Sequence, residues 1–354
     1  MKTLDRYLAT VVAADFLAAL AALLAIFSVI HLMHELEDVG VAQYGMRQAL
    51  WFVFMTLPSE AYELFPAAAL LGGVSALGTL ASRNELVSVW AAGIAPGRLI
   101  WSVMKVTAWL VVAAVGVGEF AAAPLAQQAA AQRSIVLSGG LALSTANGFW
   151  TRDGSRFINV RTPLPGAQLH DLYVYQFDAQ HRLDSFAYAR TASYANHQWT
   201  LEELVEGRIR NDVVTTRKVA TRVWKKFVSP RQLRLLSFPP EYLSLYDLYR
   251  SIRSLRARGE SPRRYQIAFW KRITLPLITG IMMFLAVPLV LVAGTSVRVG
   301  QRIVLGALLG IGFQMFNQTF AEFGLVFGLD PIASATLPGA LALALGLWLM
   351  QRVR

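Results

Sequence analysis

The sequence contains no cysteine, which excludes a disulfide framework and any Cys-ligated metal centre. It has no G-x-x-x-x-G-K followed by Ser or Thr. The phosphate-cradling loop of that motif is therefore absent, and any ATP-driven role needs another subunit. The pairs Gly72–Gly73 and Gly139–Gly140 stand isolated and read as close packing or turns. Charge is scarce: 16% of the 354 residues are Asp, Glu, Lys or Arg, against roughly 25% in an average soluble chain. Acids are scarcer than bases, and the net charge is +11. No Lys/Arg run is interleaved with aromatics. The basic excess thus points to loops beside anionic headgroups, not to nucleic acid.

Long apolar runs take the place of charge. Six stretches reach the length of about 20 residues that a spanning helix needs: 8–33, 49–81, 99–125, 269–293, 303–323 and 332–350. The first follows Lys2 and Arg6, as a signal peptide would. It is too long for such a segment and lacks a clear cleavage site, so it reads as a retained helix. The second contains Pro58 and Pro66 and is expected to kink or to begin as a half-turn. Basic loop ends (Lys2, Arg6; Arg83, Arg98; Arg298, Arg302; Arg352, Arg354) alternate with acidic ones (Glu35, Glu37, Asp38; Glu322, Asp330). Both termini are therefore expected in the cytoplasm. Lys271 and Arg272 break the alternation, but they follow a long domain, where the rule weakens.

The segment 134–260 falls on the opposite side. It is polar and β-prone. Runs at 147–152 and 156–161 flank Asp153–Gly154, a two-residue hairpin signal. Further short alternating runs follow at 172–177, 185–194, 198–204 and 213–223. Their spacing suggests a sandwich, jelly roll or open barrel. From 241 to 258, Leu243, Leu245, Leu248, Ile252 and Leu255 recur at helical spacing, an amphipathic helix. The expected architecture is an α-helical polytopic membrane protein with an inserted β-rich domain. Residues 1–133 carry three spans, 134–260 the β domain and connecting helix, and 261–354 the last three spans.

Four constellations could carry chemistry. His31, His34 and Glu35 share one helix face, either as a two-His, one-carboxylate metal site or as interfacial polar residues. Glu60 and Glu63 sit near the start of the second span, in the outer interface or as a functional intramembrane pair. Gln314, Asn317, Gln318 and Glu322 form a polar stripe beside Phe313, Phe316 and Phe320, readable as an interhelical seam or a cavity wall. Ser82–Arg83–Asn84–Glu85 reads as a capping box with Ser82 as N-cap. Leu86, Val87, Val89 and Trp90 follow, with Gly93 as a stop. The spacing predicts a short docking helix over about 83–92, offering Val and Trp to a hydrophobic partner.

At these residues the sequence resembles the permease subunits of the bacterial lipopolysaccharide export transporter, and the G-type member of their F/G pair. The likeness is carried by Leu4-Asp5-Arg6-Tyr7, by residues 65–72, by 80–86 with Ala92-Gly93, by 143–150 with Asp153-Gly154, and by Arg264-Tyr265-Gln266 with Trp270-Lys271. It covers nearly the whole chain. The resemblance implies six helices with a periplasmic β-jelly-roll. It implies pairing with an F-type permease over two copies of a cytoplasmic ATPase, which would hold the ATP and Mg. A single-span accessory protein of the periplasmic bridge would sit beside the first helix. The cargo would be lipopolysaccharide taken from the inner membrane, and the chain itself would be a non-catalytic subunit without a cofactor.

Carried over by position, Arg83, Glu85, Leu86 and Trp90 would couple to the ATPase. His31, His34, Arg133, Lys271 and Arg272 would meet lipid phosphates. Phe27, Phe313, Phe316 and Phe320 would wall an acyl-chain cavity. His31 stands where relatives have lysine, and Glu37 and Asp38 where lysines often occur, which shifts phosphate contact toward Arg133, Lys271 and Arg272. The energetics suit such a machine. At about 0.8 kcal/mol per CH₂, one fourteen-carbon chain resists leaving the bilayer by about 10 kcal/mol. Two rival readings are a membrane enzyme using a metal at His31, His34 and Glu35, and a scaffold whose spans only anchor the β domain.

Overall fold

The computed structural model describes residues 2–352, except 42, 86–87, 89–90, 92, 94–95, 138–148, 154–155, 165–167, 179, 181, 196–197, 211–212, 225–238, 258 and 294–298. It divides into two compact units. One comprises Met1–Met33, Val53–Leu125 and Arg263–Arg354; the other comprises His34–Phe52 and Ala126–Pro262.

The first unit is helical. In chain order the helices are α1 (Lys2–Leu36), α2 (Met46–Ser82), α3 (Pro96–Val117), α4 (Ala123–Leu137), α5 (Leu245–Ala257), α6 (Arg263–Ala293), α7 (Val299–Val326) and α8 (Pro331–Arg352). Of these, α5 and most of α4 belong to the second unit. A single π-turn, Gly118–Ala122, joins α3 to α4. Among the described residues six segments are long and apolar enough to cross a membrane: Asp5–Leu36, Met46–Ser82, Gly97–Arg133, Arg263–Val292, Gly300–Val326 and Pro331–Arg352. The expected spans lie inside these limits, save that the fourth was read one residue beyond Val292. Residues flanking each apolar run continue the helix because backbone groups near the membrane must be satisfied within the segment. Contrary to the expectation of a half-turn, α2 runs unbroken through Pro58 and Pro66.

Helix α2 is the axis of this unit. Its apolar window is 89% buried, against 22% for α1 and 17% for α7. Consecutive glycines set its two contacts. A Cβ on Gly72 would lie 2.5 Å from the Phe16 backbone of α1, and one on Gly73 would lie 2.8 Å from Met283 and Ala286 of α6. Small residues let helix backbones approach where lipid supplies no hydrophobic drive. Close packing is thus what the Gly72–Gly73 pair does. The rings of Phe16 and Phe65 meet edge to face at 5.2 Å beside it.

The second unit holds one antiparallel sheet. Its six strands are β1 (Phe149–Asp153), β2 (Arg156–Leu164), β3 (Gln168–Phe177), β4 (Leu183–Ala195), β5 (Gln198–Arg210) and β6 (Val213–Trp224), paired in chain order. Asp153 pairs with Arg156 across the expected two-residue turn. The ladder omits one row: Arg161, Asp171, Arg190, Glu203 and Ala220. Along it Asp171 and Glu203 adopt left-handed φ of 54° and 51°, a conformation most side chains avoid. Each carboxylate has a local partner: Tyr188 donates to Asp171 at 2.5 Å and Arg190 to Glu203 at 3.1 Å.

The row shifts the inward pattern by one residue. Leu169 and Leu172, Ala189 and Ala192, and Leu201 and Leu204 are all buried at a spacing of three, where an unbroken strand alternates by two. Both halves of the sheet therefore direct apolar side chains into one core with Ile158, Val160 and Trp199.

Helix α5 matches its periodicity, burying Leu248, Ile252 and Leu255. Ser244 accepts from the Asp247 N–H at 3.1 Å and donates to its carboxylate at 2.9 Å, capping the helix start. Gln127 of α4 donates to the Tyr242 carbonyl at 3.0 Å just before it.

Candidate functional site

The turn after α2 forms differently from the expected capping box. Ser82 closes α2, its Oγ donating to the Thr79 carbonyl at 2.8 Å. Asn84 takes a left-handed φ of 57°, and its N–H reaches the Ala81 carbonyl at 3.1 Å. This is a helix stop, and asparagine tolerates it because its short polar side chain pays little in the left-handed region. A helical bond from Ser88 N–H to the Asn84 carbonyl at 3.0 Å restarts the chain direction. Glu85 is free of the cap role and instead accepts from Tyr7 of α1 at 2.8 Å. Arg83 is exposed. Leu86 and Trp90 lie outside the described residues. Tyr7 carried no sequence signal as a partner, since 78 residues separate it from Glu85.

Of the basic residues expected at lipid phosphates His34 is exposed, and the other four have an internal engagement or a partly buried setting. His31 Nδ1 is paired with Glu60 of α2, both partly buried. Glu60 is thus bound to helix α1 and is not a loose interfacial carboxylate. Arg133 donates to Glu35 at 2.8 Å and also pairs with Asp38. Its guanidinium lies 5.9 Å from the Tyr44 ring centroid and 5.4 Å from that of Phe52. Glu35 is only 5% exposed and also accepts from Tyr44 at 2.7 Å. Burial, with that carboxylate beside it, pushes the Tyr44 phenol above its ordinary value. This acidic pair holds the base, a role hidden while Glu35 and Asp38 were read as loop charges.

Arg272 sits in α6 opposite the π-turn. It donates to the Gly118 carbonyl, lies 3.6 Å from Glu119 and stacks 5.4 Å over Tyr62. Tyr62 donates back to the Arg272 carbonyl at 3.0 Å. Three spans meet at this charge. In the π-turn the Gly118 carbonyl accepts from the Ala123 N–H as well as from Arg272, and glycine is required there because a Cβ would fall 2.6 Å from the Tyr62 ring. Lys271 is half-buried. Arg302, counted from sequence as a loop charge, is 2% exposed and donates to the Gly78 carbonyl at 3.2 Å.

The aromatic residues divide. Phe27 and Phe313 are partly buried against the helical core. Phe316 is 43% exposed, and its ring lies 5.7 Å from that of Phe320. Within the polar stripe Gln314 is buried while Gln318 and Glu322 are exposed. Helix α7 therefore buries Gln314 and turns Phe316, Gln318 and Glu322 outward.

Among the described residues no group of three or more His, Asp or Glu could hold a metal. The protein residues around His31 and Glu35 are instead paired with Glu60, Tyr44 and Arg133.

Known proteins resemble this arrangement over its full length. Residues 6–352 match the family described as lipopolysaccharide export system permease LptF/LptG. A protein of Haemophilus influenzae, called lipopolysaccharide export system permease protein LptG, is 35% identical over 100% of this chain and 99% of its own length. The protein of that name from Escherichia coli is 31% identical over 99% of this chain and 98% of its own.

Proposed function

The chain belongs to the LptF/LptG family of lipopolysaccharide export permeases, on the G side of that pair, and from this premise we propose that it extracts lipopolysaccharide from the inner membrane and hands it to a periplasmic bridge. The observation that carries the reading is the full-length match over six apolar spans interrupted once by an antiparallel β domain. In this reading both termini are cytoplasmic and the β domain is periplasmic. The outward faces of α1 and α7 suit an F-type permease and the single-span accessory protein. Exposed Leu305, Leu308, Met315 and Phe316 give α7 an apolar surface for such contact.

Energy comes from two copies of an ATPase that holds the ATP and Mg. The ATPase engages the segment that begins at Asn84. The Tyr7–Glu85 bond then links that segment to the foot of α1, so a movement imposed on Glu85 is felt by a cavity-lining helix. Glu85→Ala is expected to leave insertion intact, lower lipopolysaccharide export about tenfold and loosen the coupling of ATP hydrolysis to lipid, the loss of one charge-assisted contact. The check is reconstituted ATPase activity with and without lipopolysaccharide. Unaltered stimulation in the variant would remove Glu85 from the coupling path. Purification in mild detergent tests the whole reading, which requires a second permease, a small ATPase and bound lipopolysaccharide to accompany the chain.

A further inference from the structure

The sheet carries a cavity of about 410 Å³, within the range of about 300–1,000 Å³ typical of ligand sites. Four arginines line it, Arg156, Arg208, Arg217 and Arg222, against the single carboxylate of Glu206. The register explains the cluster. The row Ile158–Val174–Ala187–Glu206–Arg217 and the next, Arg156–Gln176–Ser185–Arg208–Thr215, continue the inward face one step beyond the apolar core. Arg222 enters from past the omitted row. Its pairing with Glu206 and the stacking of Arg156 at 5.9 Å from the Trp224 centroid tie the two halves of the sheet across the cavity. Val174 and Ala187 form a floor continuous with the core. The cavity is thus amphipathic, with an apolar floor and a basic wall.

Glu206 answers Arg222. Among the described residues no carboxylate pairs with Arg208 or Arg217, although both belong to a sheet that carries acids elsewhere. Arg208 and Arg217 stand in successive rows on one face of the neighbouring strands β5 and β6, and guanidinium forks match phosphate oxygens in geometry as well as charge. We propose that this cavity is a binding site for a phosphate-bearing sugar headgroup, held by Arg208 and Arg217 with Arg156 and Trp224 closing one side. The choice of a glycolipid headgroup rests on the export reading above; the phosphate chemistry rests on the cavity alone. In that role the β domain grips the polar end of its cargo as well as accommodating apolar chains.

Two measurements on the detergent-solubilised full chain test this. The first is equilibrium binding of inorganic pyrophosphate at low salt. Saturable binding is expected, weakened about a hundredfold by Arg208→Glu with Arg217→Glu and kept within about tenfold by the paired lysine variants. A melting curve checks that these exposed positions leave the fold intact. Binding that is absent, or unchanged by the charge reversal, overturns the site.

The second places a photoreactive residue at Thr215, inside the cavity, and at Lys218, outside it, in native membranes. A lipopolysaccharide adduct at 215 that vanishes with the two reversals, and none at 218, supports the headgroup assignment. Pyrophosphate binding without that adduct overturns the headgroup and assigns the cavity to a free phosphate compound. Lipopolysaccharide that co-purifies with the chain but never crosslinks at 215 overturns this proposal while leaving the export reading standing. If no lipopolysaccharide accompanies the chain at all, the export reading falls, and the pyrophosphate result alone decides the cavity.

Discussion

Arg272 and Arg302 in the helical unit direct their guanidinium groups at Gly118, Glu119 and Gly78 of neighbouring spans, whereas Arg208 and Arg217 in the sheet face an open cavity. The same side chain does opposite things because its surroundings differ. A charge between spans has little water to answer it and survives only with protein acceptors around it. A charge on the sheet is solvated and can wait for a ligand. Arg133 falls between these cases. It lies at the end of a span, is partly exposed, and is held by Glu35 and Asp38. The residue types that sequence alone places at lipid phosphates therefore include some that the fold has already engaged.

The largest effect is expected at Arg272. Arg272→Met leaves Glu119 without the Arg272 cation and removes one of the two donors to the Gly118 carbonyl, which also accepts the Ala123 N–H. A loss of about 3 kcal/mol is expected for removing one partner from a buried pair. The double variant Arg272→Met with Glu119→Gln should recover much of it, because the stranded charge is gone. Thermal unfolding in detergent reads both. A single variant as stable as the parent would end the contrast between committed and open arginines.

A smaller effect is expected at Arg133, whose side chain is 30% exposed. Arg133→Met should cost about 2 kcal/mol, chiefly by stranding the buried Glu35. The converse variant sharpens the point. Glu35→Gln loosens the hold on Arg133, so binding of a phosphorylated lipid is expected to rise about threefold to tenfold, with Asp38 still in place. Lipid affinity that falls in Glu35→Gln would mean that Glu35 positions Arg133 for the lipid and does not compete with it.

Periodicity made much of this fold legible. The six spans, the six strand positions and α5 each announce themselves through apolar spacing that depends on near neighbours in sequence. The pairing of charges does not. Arg272 meets a carbonyl 154 residues away, and Tyr62 sits 210 residues from the group it donates to. Nothing local marks those partners. The omitted sheet row was hidden for a related reason. Leu201 and Leu204 break strict alternation, and only the left-handed turn at Glu203 reconciles them. The capping box failed on a local competition: Ser82 and Asn84 had a finished helix behind them to terminate, and that claim on their hydrogen bonds won.

The sheet offers a milder ion pair against which the buried ones can be measured. At the β3–β4 turn Asp178 accepts the N–H groups of Gln180 and Arg182, each at 2.9 Å, and the Arg182 guanidinium at 3.3 Å. The Arg182 N–H is the chief cause that holds the Asp178 carboxyl below its ordinary value, with the guanidinium a lesser one. Arg182 is 78% exposed. Arg182→Ala is therefore expected to leave the turn formed at neutral pH, unlike Arg272→Met in the spans. A depressed carboxyl stabilises the folded turn above its unfolded value of about 3.9. That contribution is lost as pH falls through the lower folded value. Amide exchange at Gln180 and Arg182 should accordingly accelerate only below about pH 4, and Asp178→Asn should flatten the dependence. Equal acid sensitivity in Asp178→Asn would show that the turn opens for another reason, and that its backbone donors, unlike the Arg272 guanidinium beside Glu119, hold no charge.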